Sequence, residues 1–344
     1  MKHLITGGAG FIGSHLADAL TARGDEVLIL DDLTTGSRDN VNHLLAGPRV
    51  ELVEGSVLDE GLVDDCVRSV DSCFHLASMV GVKLVVDAPL ACLLRIVRGT
   101  DIVTACAARR DRRLLITSTS EIYGKRQDGP VNEQSDRLLG AASVARWNYS
   151  TAKAFGEALA FGYHREHGSE MIVVRIFNTV GPRQTGAYGM VLPRFVRQAL
   201  TGASLTVYGD GTQSRCFTHV DDTVDALVRL IGCDPAVGGV FNVGARRKVR
   251  ISDLARSVIE RAGSDSDVAL VPYEEAYGEG FEELGCREPD TAALTGLTGW
   301  EPRRSVDDAI DDVIRHEANS LNAARASSTN GSRAPAAEVT RVAR

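Results

Sequence analysis

The sequence predicts a doubly wound α/β protein, a parallel sheet covered by helices on both faces, with a smaller substrate-binding domain in its C-terminal half. Three observations carry this expectation. A short apolar strand, Lys2–Thr6, runs into the glycine turn Gly7-Gly8-Ala9-Gly10-Phe11-Ile12-Gly13 and then into helical Ser14–Leu20. Strand-like and helix-like segments then alternate through the first half, as parallel strands joined by crossover helices do. An acidic pair, Asp31-Asp32, closes the second strand, Glu26–Leu30, at about the twenty-residue spacing expected after such a turn.

Each element follows from its residues. Glycines let the backbone turn tightly and approach a pyrophosphate, whose charge then rests on the free N–H groups at the helix start. Gly7, Gly10, Phe11, Ile12 and Gly13 are therefore expected against a dinucleotide, with Asp31 on the adenosine ribose. A carboxylate there accepts from a 2′-hydroxyl and repels a 2′-phosphate, which selects NAD over NADP. After the turn Leu33–Gly36, Val50–Glu54 reads as the third strand and Gly55–Asp59 as a loop passing beneath an adenine. Ser72–Ser78 is the fourth strand, and its last residues, Leu76, Ala77 and Ser78, leave room for the cofactor. His75 lies inside that apolar strand and is read as a core histidine rather than a catalyst. A helix over Pro89–Arg110, a fifth strand over Arg112–Thr117, a helix ending near His167 and a sixth strand over Met171–Phe177 complete the alternation.

Composition limits the functions such a fold can serve. The 344 residues carry a net charge of −8, which offers no basic field for nucleic acid. Seven scattered cysteines lack any Cys-x-x-Cys pair and read as reduced thiols, no metal-ligating cluster stands out, and no apolar run approaches a membrane span. With no signal-peptide pattern before the first strand, a cytoplasmic protein is expected.

The candidate chemistry lies just past the fifth strand and on the helix after it. Ligands of doubly wound sheets sit beyond the strands' carboxyl ends, which places Thr119, Ser120 and Glu121 over the cofactor crevice. Tyr149 and Lys153 are four apart and share a helix face, so the ammonium is expected to lower the phenol's pKa and make it a base. A Tyr-x-x-x-Lys pattern alone is ordinarily a solvated helix face. Here it converges with the glycine turn and with Thr119-Ser120-Glu121.

Together these segments resemble the extended short-chain dehydrogenase/reductases, the Rossmann-fold epimerases, dehydratases and decarboxylases of nucleotide sugars. The resemblance spans nearly all of residues 1 to 316. It rests on Gly7-x-x-Gly10-x-x-Gly13, Asp31, Thr119, Tyr149-x-x-x-Lys153, Arg175-Ile176-Phe177-Asn178-Thr179-Val180-Gly181-Pro182-Arg183 and Val207-Tyr208-Gly209-Asp210-Gly211-Thr212-Gln213-Ser214-Arg215. It implies that Thr119 and Tyr149 hold the sugar's reacting oxygen and that Lys153 tunes Tyr149 and contacts the nicotinamide ribose. It further implies that Asn178, Arg183, Tyr208, Gln213, Arg215 and Arg287 hold the nucleoside diphosphate. Relatives commonly pair as homodimers, here expected through helices around Ile96–Ala107 and Ala152–Tyr163.

Within that family the sugar chemistry turns on Ser120 and Glu121. Dehydratases carry an aspartic acid where Ser120 stands, so dehydration is disfavoured, and many epimerases keep both positions small or uncharged. Thr119-Ser120-Glu121-x-Tyr123-Gly124, Arg146-Trp147-x-Tyr149-Ser150-x-x-Lys153 and Arg287-Glu288-Pro289-Asp290 look instead like UDP-glucuronic acid decarboxylases. The expected reaction is NAD-dependent decarboxylation of UDP-glucuronic acid through a 4-keto sugar, with Glu121, Ser120 and Arg287 managing the carboxylate and the reprotonation of C5. A UDP-hexose 4-epimerase is the alternative, a 4,6-dehydratase or a non-catalytic NAD sensor more distant ones, and Glu121 in a purely structural role is the bland reading. Ile96 and Ser56 depart from the family pattern, as does Met79–Val86 beside the sugar pocket. The expected organisation is a cofactor domain over 1–178 with the catalytic residues, a nucleotide-sugar domain over 179–321 and a disordered tail over 322–344.

Overall fold

In the computed structural model the described residues are 1–79, 88–126, 129–187, 189–277 and 287–330. Runs of β-branched and apolar residues become strands where both faces are covered. They are β1 (Lys2–Thr6), β2 (Glu26–Asp31), β3 (Val50–Glu54), β4 (Ser72–His75), β5 (Arg113–Thr119), β6 (Met171–Ile176) and β7 (Val240–Val243). All pair in parallel, in the order β7-β6-β5-β4-β1-β2-β3. The chain builds outward from β1 to β3 and then restarts at β4 on the other side of β1. This reversal opens a crevice at the carboxyl ends of β1 and β4.

Two helical layers cover the sheet. On one face α1 (Phe11–Ala22) and α6 (Val220–Ile231) bury Leu16, Leu20, Leu227 and Leu230 against Ile5, Ile29 and Val174. On the other, α2 (Glu60–Arg68), α3 (Pro89–Arg109) and α4 (Asn148–His167) bury Val63, Val67, Val103, Ala107 and Ala160. A proline in its first turn starts α3, and Gly168 in the left-handed conformation (φ 68°) ends α4. A separate core belongs to α5 (Val191–Leu200), α7 (Ile251–Ala262) and α9 (Val306–Asn330), which pack Phe195, Leu254 and Ile310 beside the parallel pair Leu205–Tyr208 and Val268–Val271. The short α8 (Ala292–Thr298) leads into Trp300, which is fully buried and donates its indole N–H to the Asp222 carbonyl.

Three details differ from the expectations. β5 continues to Thr119 because Thr117, Ser118 and Thr119 keep register with Val174, Arg175 and Ile176, whereas β4 stops at His75. Both β7 and α6 come from the C-terminal half, yet they complete the sheet and its cover. The last helix runs to Asn330, past Asn322 where order was expected to end, and residues 331–344 lie outside the described residues. His75 is a core histidine. Its ring nitrogens share hydrogen bonds with the Thr6 and Thr100 hydroxyls at 2.8 and 3.1 Å, and burial lowers its pKa to about 3, so it is neutral.

Candidate active site

The glycine turn is shaped by what a side chain would strike. Gly7 adopts φ +74°, and a Cβ there would lie 2.8 Å from the Ala77 nitrogen, while one on Gly13 would lie 2.2 Å from the Gly7 carbonyl oxygen. Glycine at both positions lets α1 seat directly on the β1 turn. The opening N–H groups of a helix have no intrahelical acceptor, so the turn is a bare cradle of donors at the positive end of a helix dipole. Asp31, at the end of β2, is buried and accepts from the Ala9 N–H at 2.9 Å and the Leu33 N–H at 2.8 Å, which fixes its carboxyl at the rim. Burial raises its pKa against those two bonds. Asp32 beside it pairs with Arg95 of α3. A glycine cradle for phosphates and a fixed carboxylate for a ribose fit NAD.

From this end a continuous cleft of about 480 Å³ runs to the C-terminal lobe, within the usual size of small-molecule sites. Every sequence-predicted site residue lines it except Arg183, which donates to Asp18 of α1 at 2.8 Å instead. Thr119 ends β5, and its hydroxyl accepts from the Glu121 N–H at 3.2 Å, capping a single 3-10 turn over Ser120–Tyr123. Tyr149 lies in the first turn of α4 and hydrogen-bonds the Thr119 hydroxyl. The Lys153 ammonium donates to the Thr117 carbonyl at 2.9 Å and stands 6.0 Å from the centre of the Tyr149 ring.

The expected lowering of the Tyr149 pKa by Lys153 is not what the structure gives. Burial raises the phenol's pKa, the Glu121 charge raises it further, and the bond to Thr119 only partly opposes them. Lys153 is itself so buried that its pKa falls to about 8, against the upward pull of Glu157. Lys153 is anchored on the β5 carbonyl, and the raised pKa keeps the Tyr149 phenol protonated.

Glu121 is gripped by a guanidinium. Arg146, on a short turn over Ala145–Trp147 just before α4, donates to its two carboxylate oxygens at 2.6 and 3.0 Å. Burial works to raise the Glu121 pKa, but the charges of Arg146, Arg287 and Arg215 outweigh it, and the group is held as a carboxylate. Ser120 and Arg287 are buried on the same cleft.

Towards the C-terminal lobe, the Arg194 guanidinium stacks 4.1 Å from the centre of the Tyr208 ring and donates to the Thr206 carbonyl at 3.0 Å. Gln213 donates to the Tyr208 carbonyl at 2.7 Å, Arg215 to the Ser214 carbonyl at 2.8 Å and Asn178 to the Cys216 carbonyl at 3.4 Å. Arg95, Arg194 and Tyr273 line the cleft without having been singled out in the sequence, and Arg146 figured only within a motif. Arg146 had a signal, since it precedes Tyr149 by three residues and so shares its side of the chain at helical spacing. Of the departures, Ile96 is buried in α3, and the Ser56 hydroxyl accepts from the Leu58 N–H at 3.2 Å. Met79 lines the cleft, and Val80–Val86 lie outside the described residues.

Known proteins share both the sequence and the fold. A model of the NAD dependent epimerase/dehydratase family matches residues 3–244. The chain is 38% identical over 314 residues to a UDP-N-acetyl-alpha-D-glucosaminuronate decarboxylase of Bacillus cytotoxicus, covering 91% of this chain and 96% of that protein. It is 36% identical over 306 residues to UDP-glucuronic acid decarboxylase 6 of Arabidopsis thaliana, covering 88% and 84%. Among solved structures, the UDP-glucose 4-epimerase of Thermotoga maritima with UDP-glucose aligns with a TM-score of 0.84 at 26% identity, over 93% of this chain and 100% of that one. A dTDP-glucose 4,6-dehydratase of Streptomyces venezuelae with NAD bound aligns with a TM-score of 0.85 at 28% identity, over 94% and 98%.

Proposed function

Because the chain belongs to the NAD dependent epimerase/dehydratase family, we propose that it is an NAD-dependent decarboxylase of a UDP-hexuronic acid, acting through a 4-keto sugar. The observation that carries this reading is the charge around Glu121, where the guanidinium groups of Arg146, Arg287 and Arg215 face one carboxylate. With Arg215 serving the diphosphate, Arg146 and Arg287 still put two guanidinium groups beside the one carboxylate, which suits a sugar bearing its own carboxylate better than a neutral hexose. UDP-glucuronic acid is the expected substrate. The relative from Bacillus cytotoxicus favours UDP-N-acetylglucosaminuronate as the second, differing only at C2.

In this reading Gly7, Gly10, Phe11, Ile12, Gly13, Asp31 and Leu76–Ser78 hold NAD, which when bound supplies the hydride acceptor and the positive charge of its oxidised ring. Thr119 and Tyr149 hold the C4 oxygen, and Tyr149 takes its proton. Lys153 places an ammonium within 6.0 Å of that ring, where it favours the phenolate as it forms. Oxidation at C4 makes the C6 carboxylate a β-keto acid. Carbon dioxide then leaves, and the enolate oxygen accepts hydrogen bonds from Thr119 and Tyr149. Asn178, Tyr208, Gln213 and Arg215 hold the nucleoside diphosphate. If hydride returns, UDP-glucuronate yields UDP-xylose, and if the ketone leaves first, a UDP-4-keto-pentose.

A homodimer is proposed through α3 and α4, whose exposed Leu90, Leu94 and Phe155 support a covered face. Light scattering giving a monomer mass would refute it. Among the described residues no helix is long and apolar enough to cross a membrane, and a cytoplasmic location is part of the proposal. The deciding experiment is product analysis by mass spectrometry with UDP-glucuronate, UDP-N-acetylglucosaminuronate and UDP-galactose supplied separately. Loss of carbon dioxide from a uronate is expected. Conversion of UDP-galactose with no carbon dioxide from either uronate would transfer the assignment to the 4-epimerase.

A further inference from the structure

Arg95 enters the cleft at its adenosine end, from α3, and its charge reaches Asp31. We propose that the pair of Arg95 with Asp32 governs which dinucleotide the chain accepts: Arg95 is placed to receive a 2′-phosphate, and Asp32, by holding it, keeps it from doing so. NAD is then selected by two carboxylates, Asp31 against the ribose and Asp32 through Arg95. The inference rests on the ribose assignment of Asp31 and is independent of the sugar chemistry.

Both partners are set in place by the elements that carry them. Asp32 follows β2, and one of its carboxylate oxygens accepts from the Thr34 N–H at 3.0 Å. The other oxygen pairs with Arg95, which also donates to the Thr34 hydroxyl at 3.3 Å. Gly99 lies one turn further along α3, on the same face as Arg95. A Cβ there would lie 2.8 Å from the Val57 Cγ2, so the helix runs hard against the loop expected beneath the adenine. Arg95, Asp31, Asp32, Thr34 and Val57 accordingly border one end of the cleft. A second guanidinium on this side, Arg38, pairs with Glu54, the β3 neighbour of Asp31, and does not line the cleft.

Charge decides discrimination at such a rim. A phosphate monoester carries a charge of about −1.5 to −2 at neutral pH, and an arginine near the ribose is what accommodates it where NADP is bound. This chain has that arginine beside Asp31, but its charge is already answered by Asp32. The two side chains are 30% and 29% accessible, open enough for a ligand's phosphate to reach the guanidinium. An ion pair so exposed is weak, so removing the Asp32 charge is enough to release its partner. Asparagine at position 32 keeps an acceptor for the Thr34 N–H and with it the shape of the turn.

The test is calorimetric titration of NAD into the full chain freed of cofactor, with NADP, the weaker ligand, read by displacement of NAD. Asp32→Asn should raise the affinity for NADP relative to NAD about tenfold, the low end for a hydrogen bond between charged groups because the rim is open to water. Arg95→Met in the Asp32→Asn background should remove that gain, and Arg95→Met alone should bring none. Added salt should shrink the gain, since it screens an exposed contact between charges. No gain in Asp32→Asn overturns the proposal. So does an equal gain with and without Arg95, which would show Asp32 repelling the phosphate directly. An unaltered protein that binds NADP as tightly as NAD, or neither, overturns the ribose assignment of Asp31 instead.

Discussion

Replacing Glu157 by glutamine should destabilise the protein and shift its pH–activity profile together. Glu157 and Arg175 are 5% and 7% exposed, and the guanidinium donates to the carboxylate at 3.0 and 2.8 Å. Arg175 is further held by the Tyr123 hydroxyl at 2.9 Å and the Glu133 carbonyl at 3.0 Å, so it stays in place when its partner changes. Removing one member of a buried pair costs about 3–5 kcal/mol, and because glutamine keeps one acceptor we expect about 3 kcal/mol. The same carboxylate holds up the Lys153 pKa, which burial has lowered from 10.5 to about 8. That shift is worth about 3 kcal/mol, with a definite sign. Between about 8 and 10.5 the unfolded chain binds a proton that the native chain does not, so burial of the ammonium penalises folding in full below about 8 and ceases to do so as pH approaches 10.5. Without Glu157 the native pKa falls further, Lys153 loses its proton at lower pH, and the alkaline limb of kcat/KM moves towards neutrality. Urea unfolding at pH 7 and a pH–rate profile read the two effects. The control is Asp253→Asn at the exposed pair with Arg256 (side chains 51% and 73% accessible), which should cost less than about 1 kcal/mol. A Glu157→Gln cost no larger than the control, or an alkaline limb that moves upward, refutes the reasoning.

Gly13→Ala places a Cβ 2.2 Å from the Gly7 carbonyl oxygen, so α1 must back away from the turn; titration should show NAD affinity at least about tenfold weaker, with an overpacking loss of about 1–3 kcal/mol on unfolding. Asp31→Ala should narrow the preference for NAD over NADP in paired binding titrations, and equal affinities in the unaltered protein would count against the ribose assignment. Asn242→Ala removes the amide that donates to the Val131 and Asp290 carbonyls at 3.0 and 3.1 Å and accepts from the Tyr123 hydroxyl at 2.7 Å, although Val131 keeps the Asp290 N–H and Tyr123 keeps Arg175; chemical denaturation should register about 2 kcal/mol, with KM rising as the segment beside Arg287 loosens. Tyr149→Phe should abolish both NADH formation and carbon dioxide release in a single-turnover assay, since no later step begins without the C4 ketone.

What the sequence reveals and what it hides divide along physical lines. The glycine turn, Asp31 and the Thr119, Tyr149 and Lys153 trio are legible because each is a local pattern whose geometry follows from strand and helix periods. The protonation of Tyr149 is hidden, since it depends on burial and on Glu121 from the turn after β5, while the sequence offers only the helical neighbour Lys153. Arg183 sits in a recognisable motif but spends its guanidinium on Asp18, 165 positions away, a pairing that no spacing announces. The stack of Arg194 on Tyr208 joins a helix to a strand through tertiary packing alone. His75 was legible for the opposite reason, being a polar residue in an apolar strand with small hydroxyl residues near enough to satisfy it.

The return of the chain to lay β7 beside β6 has a consequence for anyone recombining such enzymes. A chimaera joined after residue 178 would inherit six strands from one parent and the sheet's edge from the other, and the incoming half would have to match Val173–Ile176 residue for residue. It would also have to bring Asn242, whose amide ties the foreign Asp290 segment to the resident Val131. Sugar specificity in this scaffold is thus not a cassette. It is open to change by substitutions inside the cleft, while wholesale exchange of halves would be expected to yield insoluble protein whose β6 edge is free to pair with its neighbours.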